Sequence, residues 1–249
     1  MTADSVTNFS SLAMYPFASL REAWDELYAN AARRVPEAPA ALRWDLDAED
    51  TWSHPQLELG MTCGWPLVTE LRDRVRTVGA FTFALEGAPT HLYRSVIVAR
   101  RQADVSTFAG STAAINGRHS LSGFISLLAA VGAPSMEWSG DVVWTRAHRR
   151  SIDAVRRGDA EIASIDAVTW AYLTRDEPDA VAGLVVVDRG PLVPTLPLIV
   201  NGATSDERVD RWRDALADAA SETLLIKGFV ALDLADYDTA LSELLARVA

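Results

Sequence analysis

Short apolar runs and amphipathic segments alternate along most of the chain. Runs such as Leu92 to Ala99 and Gly183 to Asp188 have the dense apolar character of buried strands, and residues 20–31 place their apolar side chains on one helical face. Strands that alternate with helices in this way are typical of α/β proteins with parallel sheets. The pattern therefore predicts a parallel α/β architecture, followed by a last section that is helical.

The clearest local signal is the polar turn at residues 116–123, whose sequence is Asn-Gly-Arg-His-Ser-Leu-Ser-Gly. It follows an apolar run at 111–115 and precedes a stretch with apolar residues on one helical face, which predicts a strand, a tight turn and a helix. The first N–H groups of a helix have no partner within it, and they form a ready site for an anion. Ser120 and Ser122 lie at this start, where they either cap the helix or donate to a bound anion.

Polar side chains also follow four other predicted strands. In open α/β sheets, ligands bind beyond the carboxyl ends of the strands, so we expect these side chains to converge. Each has a structural alternative: Asp166 is a good helix N-cap, His148 lies on an arginine-rich helix, and Tyr15 has the features of a core aromatic. The side chains in question belong to Tyr15, Thr62, Thr145, His148 and Asp166.

Two breaks in the pattern divide the chain. Gly87 to Pro89 and Gly190 to Pro197 are rich in glycine and proline, and we interpret them as crossovers between two lobes. The first lobe is then predicted to contain residues 1–88 plus 198–249, and the second lobe residues 89–197. Two lobes that are joined by two crossovers leave a cleft that can close on a ligand.

Composition narrows the classes of function. The 249 residues carry a net charge of −11 without a basic run, so nucleic acid is not an expected partner. Cys63 is the single cysteine, which excludes an intrachain disulfide and a multi-cysteine zinc site, and no metal or cofactor is predicted. No apolar run reaches the roughly 20 residues that span a bilayer. The first 15 residues show no secretory signal, so we expect a cytoplasmic protein as written, or a periplasmic or extracellular one if a leader was removed.

At these residues the chain resembles the phosphate/phosphite/phosphonate-type substrate-binding proteins of ABC importers. The resemblance implies a two-lobed α/β fold of the type 2 periplasmic-binding-protein kind, an oxyanion held in the interlobe cleft, and an ABC-transporter permease as a partner. The similar segments occur in the family's order and span most of the chain. They are Met14-Tyr15-Pro16, residues 60–68, Tyr93-Arg94-Ser95, residues 116–123, residues 145–148 and residues 165–170.

On the matching positions, the resemblance implies that Tyr15 and Thr62 of the first lobe contact the ligand. The contacts implied for the second lobe are Ser95, Ser120, the backbone of Leu121, Ser122, His148 and Asp166. Many relatives place a small polar residue where this chain has Leu121, so one side-chain contact to the anion is expected to be missing. Asp166 cannot donate when it is ionised, and it therefore favours a ligand with a proton or an amine, such as a hydrogen phosphonate or an aminoalkyl phosphonate.

The predicted function is capture of a small phosphonate-, phosphite- or phosphate-like anion, without catalytic residues. Two alternatives stay open at this point: a cytoplasmic enzyme on the same fold, like the lyases of menaquinone biosynthesis, and an intracellular ligand sensor. A hydrolytic triad of Ser120, His148 and Asp166 is disfavoured, because the chain has no GxSxG motif and a helix-capping serine is poorly exposed for attack.

Overall fold

The computed structural model of the protein describes residues 8–245. These residues form two compact units. The first unit contains residues 8–84 and 194–238, and the second unit contains residues 85–193 and 239–245. Each unit is thus assembled from two segments of the chain. Residues 1–7 and 246–249, at the ends of the first predicted lobe, lie outside the described residues.

Strands and helices alternate along the described chain, as the hydrophobic pattern predicts. The strands are β1 (Phe9–Ser11), β2 (Leu57–Met61), β3 (Val75–Phe83), β4 (Leu92–Tyr93), β5 (Val96–Ala99), β6 (Ala113–Ile115), β7 (Val142–Trp144), β8 (Ile162–Ile165), β9 (Val185–Arg189), β10 (Val193–Pro194), β11 (Pro197–Asn201) and β12 (Ile226–Val230). The helices are α1 (Arg21–Ala32), α2 (Ala48–Thr51), α3 (Gly64–Thr69), α4 (Ser126–Val131), α5 (His148–Arg157), α6 (Ala167–Asp176), α7 (Pro178–Val181), α8 (Asp206–Leu216) and α9 (Leu234–Leu245). A π-helical turn at Leu121–Ile125 runs directly into α4.

The first unit contains a five-stranded sheet in the order β1-β2-β11-β3-β12. β1 and β2 are parallel, whereas β11 is antiparallel to both β2 and β3. β1, β2 and β3 consequently point in the same direction and end at the same edge of the sheet. We call the edge where the parallel strands of a sheet end its carboxyl edge.

The second unit contains a five-stranded sheet in the order β7-β6-β8-β5-β9. β6 runs parallel to β7 and β8, so these three neighbours share a carboxyl edge. β5 is antiparallel to both β8 and β9. The α/β fold class is confirmed, but the expectation of parallel sheets was wrong in part, because both sheets are mixed.

The last section of the chain is also not entirely helical, because β12 lies between α8 and α9 and pairs with β3. Lys227 and Gly228 interrupt the apolar residues of this strand, so the hydrophobic pattern does not predict it. β12 is a terminal strand of its sheet and is only partly buried, so it lacks the continuous apolar run of a central strand. Backbone pairing with β3 holds β12 in the strand conformation, although its side-chain pattern does not predict a strand.

Candidate functional site

The candidate site lies at the carboxyl edge of the second unit's sheet. β6, β7 and β8 end there side by side, and the segments that follow them carry the polar residues of the turn at 116–123, the residues at 145–148, and Asp166. The antiparallel β5 brings its amino end to the same edge, because Val96 is opposite Ile165. The structure therefore gathers at one sheet edge all the contacts predicted for the second lobe: Ser95, Ser120, Leu121, Ser122, His148 and Asp166.

Ser120 caps the helical segment that leaves the polar turn. Its backbone is extended, and its Oγ accepts the N–H of Gly123 at 2.9 Å. This is the capping role that a serine usually has at a helix start. The hydroxyl proton of Ser120 is not used in that bond, so the side chain keeps a donor for a second partner.

Ser122 joins three segments of the site. Its Oγ lies 2.9 Å from Nε2 of His148, the first residue of α5. Its backbone carbonyl accepts the hydroxyl of Ser164 from β8. Ser164 was missed by sequence reasoning, although a hydroxyl within the apolar run at 161–165 is the signal that could have identified it. These two bonds connect Ser122, which follows β6, with the start of α5 through its side chain and with β8 through its backbone.

His148 is predominantly neutral at pH 7. The residue keeps some solvent exposure, but surrounding protein atoms bury its ring enough to lower its pKa below the ordinary value. The charge of Asp166 and the nearby backbone of Ser164 act in the opposite direction and do not offset burial. A neutral imidazole has one donor and one acceptor nitrogen, so His148 can either donate to Ser122 or accept from it.

Asp166 caps α6. Its Oδ1 accepts the N–H of Thr169 at 2.9 Å, and its side chain is buried. A carboxylate at this position is stabilised by the helix dipole and the capping bond. Asp166 thus has the N-cap role that the sequence offers as its structural alternative. It also places a negative charge next to the His148 ring.

The hydrolytic triad that the sequence disfavours is not assembled. His148 pairs with Ser122, whereas the hydroxyl of Ser120 is turned to Gly123. Nδ1 of His148 makes no hydrogen bond to the Asp166 carboxylate, so the link from histidine to aspartate that orients a catalytic imidazole is missing. The geometry suits hydrogen bonding to a ligand better than activation of a nucleophile.

Asn116 and Gly123 shape the polar turn. Asn116 Oδ1 is buried with no donor, and it lies directly against Gly123. A Cβ atom at Gly123 would come within 1.7 Å of that oxygen, so the turn has no room for a side chain there. The glycine that ends the motif is therefore explained by the close approach of the Asn116 amide.

Both the hydroxyl and the carbonyl of Ser95 are hydrogen-bonded to other residues of the second unit. Its Oγ donates to Oγ of Ser126 on α4 at 3.4 Å, and its carbonyl accepts the N–H of Gly190 at 2.8 Å. The side chain is fully buried. Ser95 thus lies at the correct edge of the sheet, with its hydroxyl turned towards α4.

Tyr15 and Thr62 belong to the first unit. The ring of Tyr15 is buried and stacks on Trp24, with centroids 6.3 Å apart. Thr62 directly follows β2, and its N–H donates to the carbonyl of Pro197 at 3.0 Å. The Thr62 hydroxyl is buried and has no hydrogen-bond partner, so it is a donor without an acceptor at the carboxyl edge of the first sheet.

The described residues contain no group of three or more His, Cys, Asp or Glu side chains that could hold a metal ion. Within the same residues, no helix combines the length and the apolar character that crossing a membrane requires.

Residues 52–237 match a protein family described as ABC transporter, phosphonate, periplasmic substrate-binding protein. The match covers well over half of the chain and every strand of the two five-stranded sheets except β1. No curated protein matches the chain at a significant level.

Several solved structures share the fold over almost the whole chain. PhnD1 from Prochlorococcus marinus, in complex with methylphosphonate, is 9% identical with a TM-score of 0.72, and 97% of each chain is covered. A binding-protein component of an ABC phosphonate transporter from Pseudomonas aeruginosa is 18% identical with a TM-score of 0.70, over 97% of this chain and 86% of the other. A protein from Xanthomonas citri bound to ATP is 16% identical with a TM-score of 0.67, over 97% and 96%. At these identities the structures establish the type of fold.

Proposed function

Since the chain belongs to the family of periplasmic substrate-binding proteins of phosphonate ABC transporters, we propose that it captures a small oxyanion of the phosphonate, phosphite or phosphate type. The observation that carries the proposal is the Ser122–His148 pair at the start of two helices, on neighbouring strand ends. Hydroxyl groups and helix-terminal N–H groups are the donors that bind oxyanions in proteins.

The second unit supplies most of the proposed contacts. Ser120, Ser122 and the backbone N–H of Leu121 donate to the anion, and His148 fixes the orientation of the Ser122 hydroxyl. Leu121 contributes no side-chain donor, so the backbone carries that position. Ser95 remains a proposed contact, and its hydroxyl has to leave Ser126 to reach a ligand. From the first unit, Tyr15 and Thr62 are the proposed contacts, and the unpartnered Thr62 hydroxyl supports that role.

Binding is favoured over catalysis. The family consists of transporter binding proteins, and this supports neither the lyase-like enzyme nor the intracellular sensor. The missing link between His148 and Asp166 argues in the same direction. We propose that an ABC-transporter permease receives the ligand, and the family's periplasmic description favours the periplasmic of the two predicted locations.

A ligand panel tests the proposed function. We expect phosphate, phosphite, methylphosphonate or 2-aminoethylphosphonate to raise the thermal unfolding temperature, because a ligand at 100 times its Kd stabilises a protein by about 2.7 kcal/mol. For a chain of this length that is a shift of several degrees. Sulfate and ATP complete the panel, since a protein of similar fold carries ATP. No shift with any oxyanion would contradict the proposal, and chemical turnover of the ligand would favour an enzyme.

The charge of Asp166 should select among these ligands. Asp166→Asn keeps an N-cap for Thr169 but removes the negative charge. We expect the variant to lose roughly tenfold in affinity for 2-aminoethylphosphonate relative to methylphosphonate, because a buried charge-assisted hydrogen bond is worth about 1.5–3 kcal/mol. Isothermal titration of both ligands measures the ratio. An unchanged ratio would remove Asp166 from the determinants of specificity.

A further inference from the structure

Trp24 has a buried N–H group without an acceptor. Its side chain is completely buried, and Nε1 makes no hydrogen bond. A buried indole N–H usually finds a partner, and leaving one unsatisfied is unfavourable. Four other tryptophans of the described chain do find acceptors: Trp44 donates to Asp25, Trp52 to the Met61 carbonyl, Trp138 to the Ser111 carbonyl and Trp212 to Glu58.

Ring contacts place Trp24 at the carboxyl edge of the first sheet. The residue comes from the first turn of α1 and stacks on Tyr15, and its ring centroid lies 6.0 Å from that of Phe81 in β3. Phe81 directly follows Ala80, which lies opposite Pro197 of β11. Pro197 also accepts the N–H of Thr62, the residue after β2, so Phe81 is level with the end of β2. Ligands of open α/β sheets bind at this edge.

The unpartnered donors of the first unit fall into two groups. Thr62 and Trp24 belong to the carboxyl edge. Ser11 and Thr77 also have buried hydroxyls without partners, but both are level with Gly60, which lies two residues before Thr62. Thr62 and Trp24 therefore lie beyond the level of Gly60, towards the edge of the sheet where ligands of open α/β sheets bind.

We propose that Trp24 is a ligand-binding residue whose Nε1–H donates to an oxygen of the bound anion, beside the hydroxyl of Thr62. This inference deepens the proposed function and rests on it. An indole N–H donates and never accepts, so it requires a ligand oxygen with a free lone pair and disfavours an ammonium or a methyl group at that position. A neutral donor also satisfies the anion without adding a charge to a buried site.

Trp24→Phe tests the inference, with Trp212→Phe as the matched control. Both tryptophans are fully buried in the first unit, but the Trp212 N–H already serves Glu58. We expect Trp24→Phe to bind methylphosphonate at least tenfold more weakly than the wild-type protein. Trp212→Phe should stay within about twofold of wild type, even though it leaves the Glu58 carboxylate with one donor fewer. Isothermal titration at one temperature, below the melting points of all three proteins, gives the comparison.

The outcomes separate this inference from the proposed function. Wild-type binding with unchanged affinity in Trp24→Phe overturns the role of Trp24 and leaves the proposed function intact. Failure of the wild-type protein to bind methylphosphonate or any other oxyanion of the panel overturns both.

If Trp24→Phe does not fold, the indole ¹H–¹⁵N spectrum of the wild-type protein gives the answer. Methylphosphonate should move the one indole resonance that belongs to none of the other seven tryptophans, each of which is identified from its own Trp→Phe variant. It should also slow the exchange of that proton with solvent. A spectrum in which the Trp24 resonance stays in place on saturation with methylphosphonate would overturn the inference, whatever the other indole resonances do.

Discussion

Replacing Ser122 by alanine should weaken methylphosphonate binding by roughly 10- to 100-fold. The substitution removes a hydroxyl that His148 Nε2 holds in place at 2.9 Å, at the start of a helix. A hydrogen bond to a charged partner contributes about 1.5–3 kcal/mol, and each 1.4 kcal/mol corresponds to a factor of ten in affinity. Isothermal titration of the wild-type protein and the variant measures the loss directly.

Ser151→Ala is the matched control for Ser122→Ala. Ser151 is a buried serine of the same unit, and its hydroxyl bonds to Thr145 at 2.6 Å. We expect this variant to lose stability by about 1 kcal/mol and to keep its affinity, because its hydrogen bond serves the protein alone. Equal losses of affinity in the two variants would mean that Ser122 acts only through the folding of the unit.

The polar turn was accessible from the sequence because its determinants are local. The apolar run before it, the capping serine and the apolar helical face after it all lie within one short stretch, and the structure has β6, the Ser120 cap and the helical segment in that order. The same holds for Asp166, which directly follows β8 and caps α6. A strand, a cap and a helix in sequence predict one another without knowledge of their neighbours.

Features that depend on pairing between distant segments were not accessible. A search for polar groups after each strand cannot find Ser95, which precedes β5 and reaches the edge only because β5 is antiparallel. That residue came from the family resemblance alone. Ser164 and Trp24 acquire their significance from what lies opposite them, a carbonyl in one case and the lack of an acceptor in the other. Tertiary contacts of this kind leave no periodic trace in the sequence.

Through His148, acid should destabilise the free protein and strengthen its binding of the ligand. In the free protein burial lowers the pKa of His148, and Asp166 and the Ser164 backbone offset this only in part. Unfolding returns the pKa to about 6.5, so the unfolded chain binds more protons between the two values. The contribution of His148 to stability is therefore complete above about pH 6.5 and is lost as the pH falls towards the lowered pKa.

A bound anion should raise the pKa of His148 above its value in the free protein. Ser122 donates its proton to a ligand oxygen when His148 donates Nε2–H to Ser122, which an imidazolium always does. The negative charge of the ligand also favours the protonated ring. We therefore expect the protein to take up a proton with the ligand. The association constant then rises by up to tenfold for each unit that the pH falls, between the pKa of the free and that of the bound protein.

His148→Gln isolates this effect, because a glutamine amide can still donate to Ser122 but does not titrate. Titrations with methylphosphonate between pH 5.5 and 7.5, in buffers with different ionisation enthalpies, count the protons that bind with the ligand. The ligand's own protonation contributes equally in both proteins, so the difference between the two curves belongs to His148. We expect the wild-type curve to be the steeper of the two on the acid side. Parallel curves would show that the ring keeps its charge state on binding, and that the Ser122 hydroxyl is oriented by a neutral His148.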